Sequence, residues 1–282
     1  MCGRFSLNSP PEEVRHAFGY EDKPNFPPRY NIAPTQPVGI VRLEDGVRRF
    51  GLVRWGLIPS WVKDPKSFTL LINARSETVH EKPAFRAAIQ RRRCLVPANG
   101  FYEWQRQAGP GKQPFWVRPV KGGVIGFAGV WERWMGPGGE ELETVAILTA
   151  PAPPSLEDIH HRVPIVIAAE DYARWLETAD SCPGNLSDLL QTPADGFFEA
   201  VPIGMRVNVV ANDDPGLQDP VNPEDERADD DPARLAKLNA GRTAAQKKDA
   251  KRVRQMGEKR EKAKAKPVKS EEADAAGQLD LF

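Results

Sequence analysis

The chain has 282 residues, 40% hydrophobic and 28% charged, and its 39 Lys+Arg balance 39 Asp+Glu to a formal net charge of +0. That composition supports a buried core and excludes a uniformly basic nucleic-acid binder, and no stretch approaches the ~18–20 apolar residues of a membrane span. Cys2, Cys94 and Cys182 are scattered and odd in number, which argues against a disulfide framework and, without a C-x-x-C spacing, against zinc. Cys94 and Cys182 read as packing residues or inert thiols. No basic-then-apolar leader is present, so a cytoplasmic protein is expected.

In chain order, the first feature is chemical. The chain opens Met1-Cys2-Gly3-Arg4-Phe5, and loss of Met1 makes Cys2 a 1,2-aminothiol, a pair that no internal residue offers. An α-amine of pKa about 7.7–8.0 is roughly a tenth to a fifth neutral at pH 7, with a thiol of reference pKa about 8.5 beside it. An aldehyde meeting both forms a Schiff base with the amine and closes through sulfur into a thiazolidine. The bland alternative is an early residue at a frayed terminus.

Ser9-Pro10-Pro11-Glu12 reads as a helix start, with Ser9 as N-cap, Pro10 at the first position and Glu12 completing a capping box; the helix runs to about Phe18. Arg29-Tyr30-Asn31-Ile32-Ala33-Pro34 reads as a polar turn. Apolar or alternating runs predict strands over Val38–Leu43, Phe50–Leu57, Cys94–Trp104, Phe115–Arg118, Val124–Trp131, Thr144–Thr149, Pro164–Ala168 and Val201–Val210. Helices are expected from about Pro83 to Arg91 and from about Glu170 to Thr178. The pattern predicts an α+β fold, mainly antiparallel strands forming a curled, barrel-like core with a few short helices. No G-x-G-x-x-G or P-loop supports nucleotide hydrolysis.

After Phe198 no Phe, Trp or Tyr occurs until Phe282. A charged segment without aromatics cannot offset chain entropy by burial. The expected organisation is a catalytic domain over 1–212, a charged disordered linker over 213–277 and a terminal motif over 278–282. The linker starts acidic and turns basic between Lys247 and Lys269, a solvated charge pattern. The domain before it carries a slight negative balance and so is not a general DNA binder.

Five segments carry unusual chemistry: Met1–Phe5, Arg54–Trp61, Asn73–Glu77, Pro97–Trp104 and His160–Pro164. With Arg29–Pro34, and in this order, they resemble the SOS-response-associated peptidase (SRAP) family, which includes abasic-site processing proteins. The resemblance covers about residues 2–210. It implies a protein that binds single-stranded DNA at an abasic site, where the ring-opened sugar presents an aldehyde. Cys2 then traps that aldehyde as a thiazolidine crosslink, in line with the aminothiol chemistry.

The resemblance also implies roles for other residues. Glu103 assists sugar ring opening and Schiff-base formation; on residue type alone it reads as a surface glutamate. His160 acts on the sugar ring oxygen and helps reverse the crosslink, although a single histidine is more often structural. The spacing to Arg162 and Pro164 selects His160 over His161. His161 stands where the family often has Asp, and Val163 where it often has Met. Asn73 holds Cys2 or the opened sugar, with a helix cap as the competing role. Arg4, Arg75 and Arg162 contact phosphate, and Trp61 stacks on or wedges against a base. Trp55 reads as core, and Arg91-Arg92-Arg93 as a helix-end charge cluster.

The chain ends Gln278-Leu279-Asp280-Leu281-Phe282, which resembles the bacterial sliding-clamp-binding motif, with Gln278, Leu279, Leu281 and Phe282 as contacts. The expected partners are abasic single-stranded DNA and the sliding clamp, with the protein a cytoplasmic monomer at replication sites; neither metal nor cofactor is implied. Two other functions compete: a cysteine peptidase using Cys2, which could also remove Met1, and a noncatalytic clamp-tethered DNA adaptor. A Schiff base on Cys2 also opens a lyase route to strand cleavage.

Overall fold

The structure, a computed structural model, describes residues 2–106, 112–178 and 186–223. The charged linker from 224 onward and the Gln278–Phe282 motif lie outside these residues. In chain order the elements are β1 (Phe5–Leu7), α1 (Pro11–Phe18), β2 (Arg29–Ile32), β3 (Pro37–Glu44), β4 (Val47–Trp55), β5 (Asn73–Arg75), α2 (Arg86–Arg91), β6 (Arg93–Ala98), β7 (Gly100–Arg106) and β8 (Lys112–Pro119). There follow β9 (Ile125–Met135), β10 (Glu141–Pro151), α3 (Pro154–Glu157), β11 (Arg162–Pro164), β12 (Val166–Ile167), α4 (Tyr172–Leu176) and β13 (Phe198–Pro202).

Five of these strands close on themselves. β3 pairs antiparallel with β4 and β6, β6 with β9, and β9 with β10, while β10 and β4 run parallel and complete the ring. Closure removes exposed strand edges. Ile40, Trp55, Leu95, Phe127, Val145 and Ile147 are fully buried in the resulting core. A second, antiparallel sheet runs β13-β8-β7-β1-β2. Phe5 joins the two, meeting Trp55 edge-on at 5.1 Å and Phe127 at 6.3 Å. This is the mainly antiparallel, barrel-like α+β fold that the strand pattern predicts.

Several local expectations are corrected. The Cys94–Trp104 run is two strands in different sheets, broken at Asn99. Gly100 permits the break: a Cβ there would lie 2.6 Å from the Val117 carbonyl across the β7–β8 pair. Helix α1 begins at Pro11 with Pro10 as its cap and no side-chain cap bond. The Ser9 hydroxyl instead bonds Glu13 at 3.0 Å and accepts from Asn99 Nδ2 at 2.9 Å, so no capping box forms. Arg29–Ile32 is a strand rather than a turn, because its backbone finds a partner in β1. Residues Glu170 and Asp171 form a 3-10 turn ahead of α4, helix α2 begins only at Arg86, and the strand expected to reach Val210 gives way to a 3-10 turn over Met205–Asn208.

The chain stays packed past Asn212. The Asp213 carboxylate accepts from the Tyr30 and Asn31 backbone N–H groups, and Val221 N–H bonds the Pro202 carbonyl at 3.0 Å. Trp55 is core, as expected. Arg93 is buried and donates to the Ile89 and Trp175 carbonyls, satisfying the helix-end acceptors of α2 and α4; Arg92 pairs with Glu132 at 2.7 Å. Among the described residues no helix is long and apolar enough to cross a membrane.

Candidate active site

Cys2 lies in the extended segment leading into β1, beside β7, where Tyr102 N–H bonds the Arg4 carbonyl at 2.9 Å. It is fully buried. Its carbonyl accepts from Asn73 Nδ2 at 2.8 Å, and its Sγ lies 3.7 Å from the Arg4 carbonyl. Burial pushes the thiol well above its ordinary pKa, and the nearby Glu103 charge pushes it further. The sulfur is therefore a protonated thiol at neutral pH.

Asn73 opens β5, which the barrel holds parallel to β10 with Asn73 opposite Ile147. Its amide reaches Cys2 and caps no helix. Its Oδ1 is buried and has no hydrogen-bond partner among the described residues, an acceptor that a bound group can satisfy.

Glu103 sits in the middle of β7, flanked by Tyr102 and Trp104, and is 5% exposed. It is not the surface glutamate that residue type suggests. Burial raises its pKa to about 7, so near neutral pH it both gives and takes protons. His160 follows α3, and its Nδ1 lies 3.8 Å from Glu103 Oε1. Burial lowers its pKa to about 4, leaving a neutral imidazole. Its Nδ1 meets the Arg162 backbone at both groups, 3.0 Å from the N–H and 3.1 Å from the carbonyl. The His161 ring packs on His160, centroids 4.4 Å apart.

Two clefts, each of about 610 Å³, reach this cluster. One is lined by Glu103, Trp104, Lys112, Asp158, His160 and His161. The other is lined by Asn73, Arg75, Trp61, Lys82 and Phe85. Trp61 is 59% exposed and stands edge-on to Phe68 at 5.7 Å; Arg75 is exposed beside it.

Two of the arginines expected at the strand bond within the protein. Arg162 is buried, gripped by both oxygens of Glu77 and bonded to the Thr149 carbonyl and hydroxyl. Its Nε, also buried, has no hydrogen-bond partner among the described residues. Arg4 donates to Asn31 Oδ1 at 2.7 Å and the Val207 carbonyl at 3.0 Å, which ties β1 to the 3-10 turn. Sequence reasoning passed over Glu77, Trp104 and Lys112 as site residues. Glu77 and Trp104 fall inside quoted motifs, but only the fold reveals their neighbours. Among the described residues no group of three or more His, Cys, Asp or Glu could hold a metal ion.

A model of the SOS response associated peptidase (SRAP) family matches residues 1–210. The chain belongs to the SRAP family. Relatives include a protein named abasic site processing protein YoqW of Bacillus subtilis (strain 168), 36% identical over 77% of this chain and 98% of its own length. Abasic site processing protein HMCES of Pongo abelii is 30% identical over 79% and 77%. Among solved structures, a Bacteroides thetaiotaomicron protein superposes with a TM-score of 0.69 at 25% identity, covering 78% of this chain and all of that one. A phage-related protein from Bordetella bronchiseptica gives a TM-score of 0.58 at 30% identity, over 72% and 94%. In this SRAP chain Cys2, Asn73, Glu103 and His160, drawn from four separated motifs, meet at one place.

Proposed function

We propose that this SRAP protein processes abasic sites by capturing them covalently on Cys2 in single-stranded DNA. The observation that carries this is the burial of Cys2 against Asn73 with Glu103 in electrostatic reach and His160 beyond it. After removal of Met1, the Cys2 amine adds to the C1′ aldehyde of the opened sugar. Glu103 protonates the carbinolamine hydroxyl, which leaves as water and gives a Schiff base. The Cys2 thiol then adds across the C=N bond, its proton passing to nitrogen, and closes the thiazolidine. One water is lost overall. His160, a neutral imidazole beside Glu103, is suited to hydrogen-bond the sugar ring oxygen during opening and to act again in reversal, with Glu103 as the group that gives and takes the proton.

The aminothiol chemistry favours this order, amine first and sulfur second, since only the amine forms the C=N bond to which sulfur adds. The protonated thiol disfavours the peptidase reading, in which a thiolate attacks a carbonyl at once. The Trp61 and Arg75 cleft suits a base and a phosphate of the strand. If the Schiff base eliminates before sulfur closes it, strand cleavage follows, which is the lyase route. We assign the Gln278–Phe282 segment as a tether to the sliding clamp, which raises local concentration at the replication fork, with the protein acting there as a monomer.

Met1-free protein incubated with abasic single-stranded DNA is expected to give a covalent adduct, mapped by mass spectrometry to Cys2 and absent in Cys2→Ala. An adduct on another side chain, or turnover of a peptide library without one, rejects the reading. Deleting Gln278–Phe282 should abolish clamp pull-down and leave crosslinking to naked DNA intact; unchanged clamp binding rejects the tether.

A further inference from the structure

The cations of this domain divide by position. Arg29, Arg42, Arg118, Arg133 and Arg206 each meet a carboxylate at 2.5–2.9 Å. From Arg54 to Arg91, by contrast, the chain carries seven Lys and Arg against three Asp and Glu. Among the described residues none of the seven has an ion pair or a side-chain hydrogen bond, and all but Arg54 are exposed. Outside this stretch, and among the described side chains, Lys23, Lys112 and Lys121 are the exposed cations in the same state.

Three of the seven share one outward surface. Lys82 lines the cleft that holds Trp61, Asn73 and Arg75. Its carbonyl accepts the Arg86 N–H at 2.9 Å, so a helical turn runs from Lys82 into α2. Helix α2 buries Ala88 and Ile89 and turns Arg86, Gln90 and Arg91 to solvent. Of the Arg91–Arg93 run, Arg92 and Arg93 bond within the protein, and Arg91 is left outside. Lys82 and Arg86 lie about 6 Å apart along the helix axis, and like charges at that spacing weaken a helix. A surface that keeps this repulsion without a bonded carboxylate fits a polyanion, whose phosphates offset it on binding. The other cleft at the site has a different rim: Glu157 and Asp158 stand exposed there, with Lys112 as the cation in its lining.

We propose that Lys82, Arg86 and Arg91 form a phosphate track that carries the DNA strand away from the lesion on one side only. The inference deepens the abasic-site reading and rests on it for the identity of the polyanion. The Trp61 cleft takes the nucleotide next to the lesion. The track takes the backbone beyond it, through charge and without reading a base. The acidic rim of the other cleft offers the opposite arm of the strand no such path. Added nucleotides therefore strengthen binding on one side of the lesion and not on the other.

The test is equilibrium binding across a salt titration, with the full chain lacking Met1. The probes are single strands that carry a tetrahydrofuran abasic analogue, which has no aldehyde, near the 5′ end or near the 3′ end. The proteins are wild type, Lys82→Ala/Arg86→Ala/Arg91→Ala, and Lys23→Ala/Lys121→Ala as a control for exposed cations elsewhere. All three should melt alike, since every substituted side chain is exposed. Wild type and the control are expected to bind the two strands unequally. The triple variant should bind them equally and lower the slope of log affinity against log salt by about two, at about 0.7 per phosphate contact. Between about 50 and 200 mM salt, wild-type affinity for the favoured strand should then fall about ten- to twentyfold further than the variant's. Equal binding of the two strands by wild type overturns the proposal, as does binding of neither. A triple variant with the wild-type slope also overturns it and leaves the α2 face to another anion, such as an acidic protein. Where the track behaves as expected but a native abasic strand gives no adduct on Cys2, the track stands and only the covalent-capture reading fails.

Discussion

Asn73 donates its side-chain amide to the backbone carbonyl of Cys2 at 2.8 Å, across 71 residues of sequence. The bond holds the chain's second residue against β5, at the mouth of the cleft that carries Trp61 and Arg75. Asn73→Asp removes the donor without changing the shape and sets a carboxylate against a carbonyl oxygen. A lost hydrogen bond of this kind costs about 1 kcal/mol and more when a buried acceptor is left unpaired. The variant should melt a few degrees lower and form adduct at least about tenfold more slowly. Wild-type rates in a protein with a lowered melting temperature count against a role in placing Cys2.

Glu103 ties stability to pH. Its folded pKa of about 7 lies above the ordinary 4.5 because burial disfavours the charge. Its contribution is fully present below pH 4.5 and is lost as pH rises through 7. The shift corresponds to a loss on the order of 3 kcal/mol. Glu103→Gln should therefore match wild type at pH 4, exceed it in thermal stability at pH 8, and form no adduct at normal rates. A variant less stable than wild type at pH 8 contradicts the burial argument.

His160 works in the opposite direction. Its folded pKa of about 4 lies below the ordinary 6.5, again through burial. The stability it contributes is present above pH 6.5 and disappears as pH falls through 4. His160→Gln should flatten the acid side of the melting profile while leaving the alkaline side unchanged. Identical acid slopes in the two proteins would show that the ring is solvated.

Trp61 and Arg75 stand exposed, so replacing them should change binding and not folding. Trp61→Ala is expected to weaken single-stranded DNA binding by about 1–3 kcal/mol, the usual worth of base stacking on an aromatic ring. Arg75→Ala should lower affinity and reduce the salt dependence by about one counterion. Both should melt with wild type. Equal affinity across a salt titration removes this cleft from the DNA path.

Arg4 belongs to a different class. Its bonds to Asn31 and the Val207 carbonyl cross the second sheet, and Arg4→Ala leaves the Asn31 oxygen without that donor. The expected result is a protein less stable by about 1–3 kcal/mol, seen as an earlier denaturant midpoint. If only DNA affinity falls, Arg4 acts on phosphate after all.

The aminothiol at Cys2, the strand pattern and the composition break after Phe198 were legible from residue order, because each depends on local chemistry: adjacent atoms, alternation along a strand, or the apolar content of a segment. The six motifs, read in order, also marked the family. Which glutamate is buried and which arginine is exposed were not legible, because each depends on residues far away in sequence. Glu103 titrates near neutrality only because the sheets enclose it. Arg162 meets Glu77 only because β10 sets Thr149 beside both. Alternation predicted the strands around Cys94–Trp104, but a pattern of alternation holds no information on partners, and it was the pairing of β6 with β3 and β9 and of β7 with β1 and β8 that divided one run between two sheets.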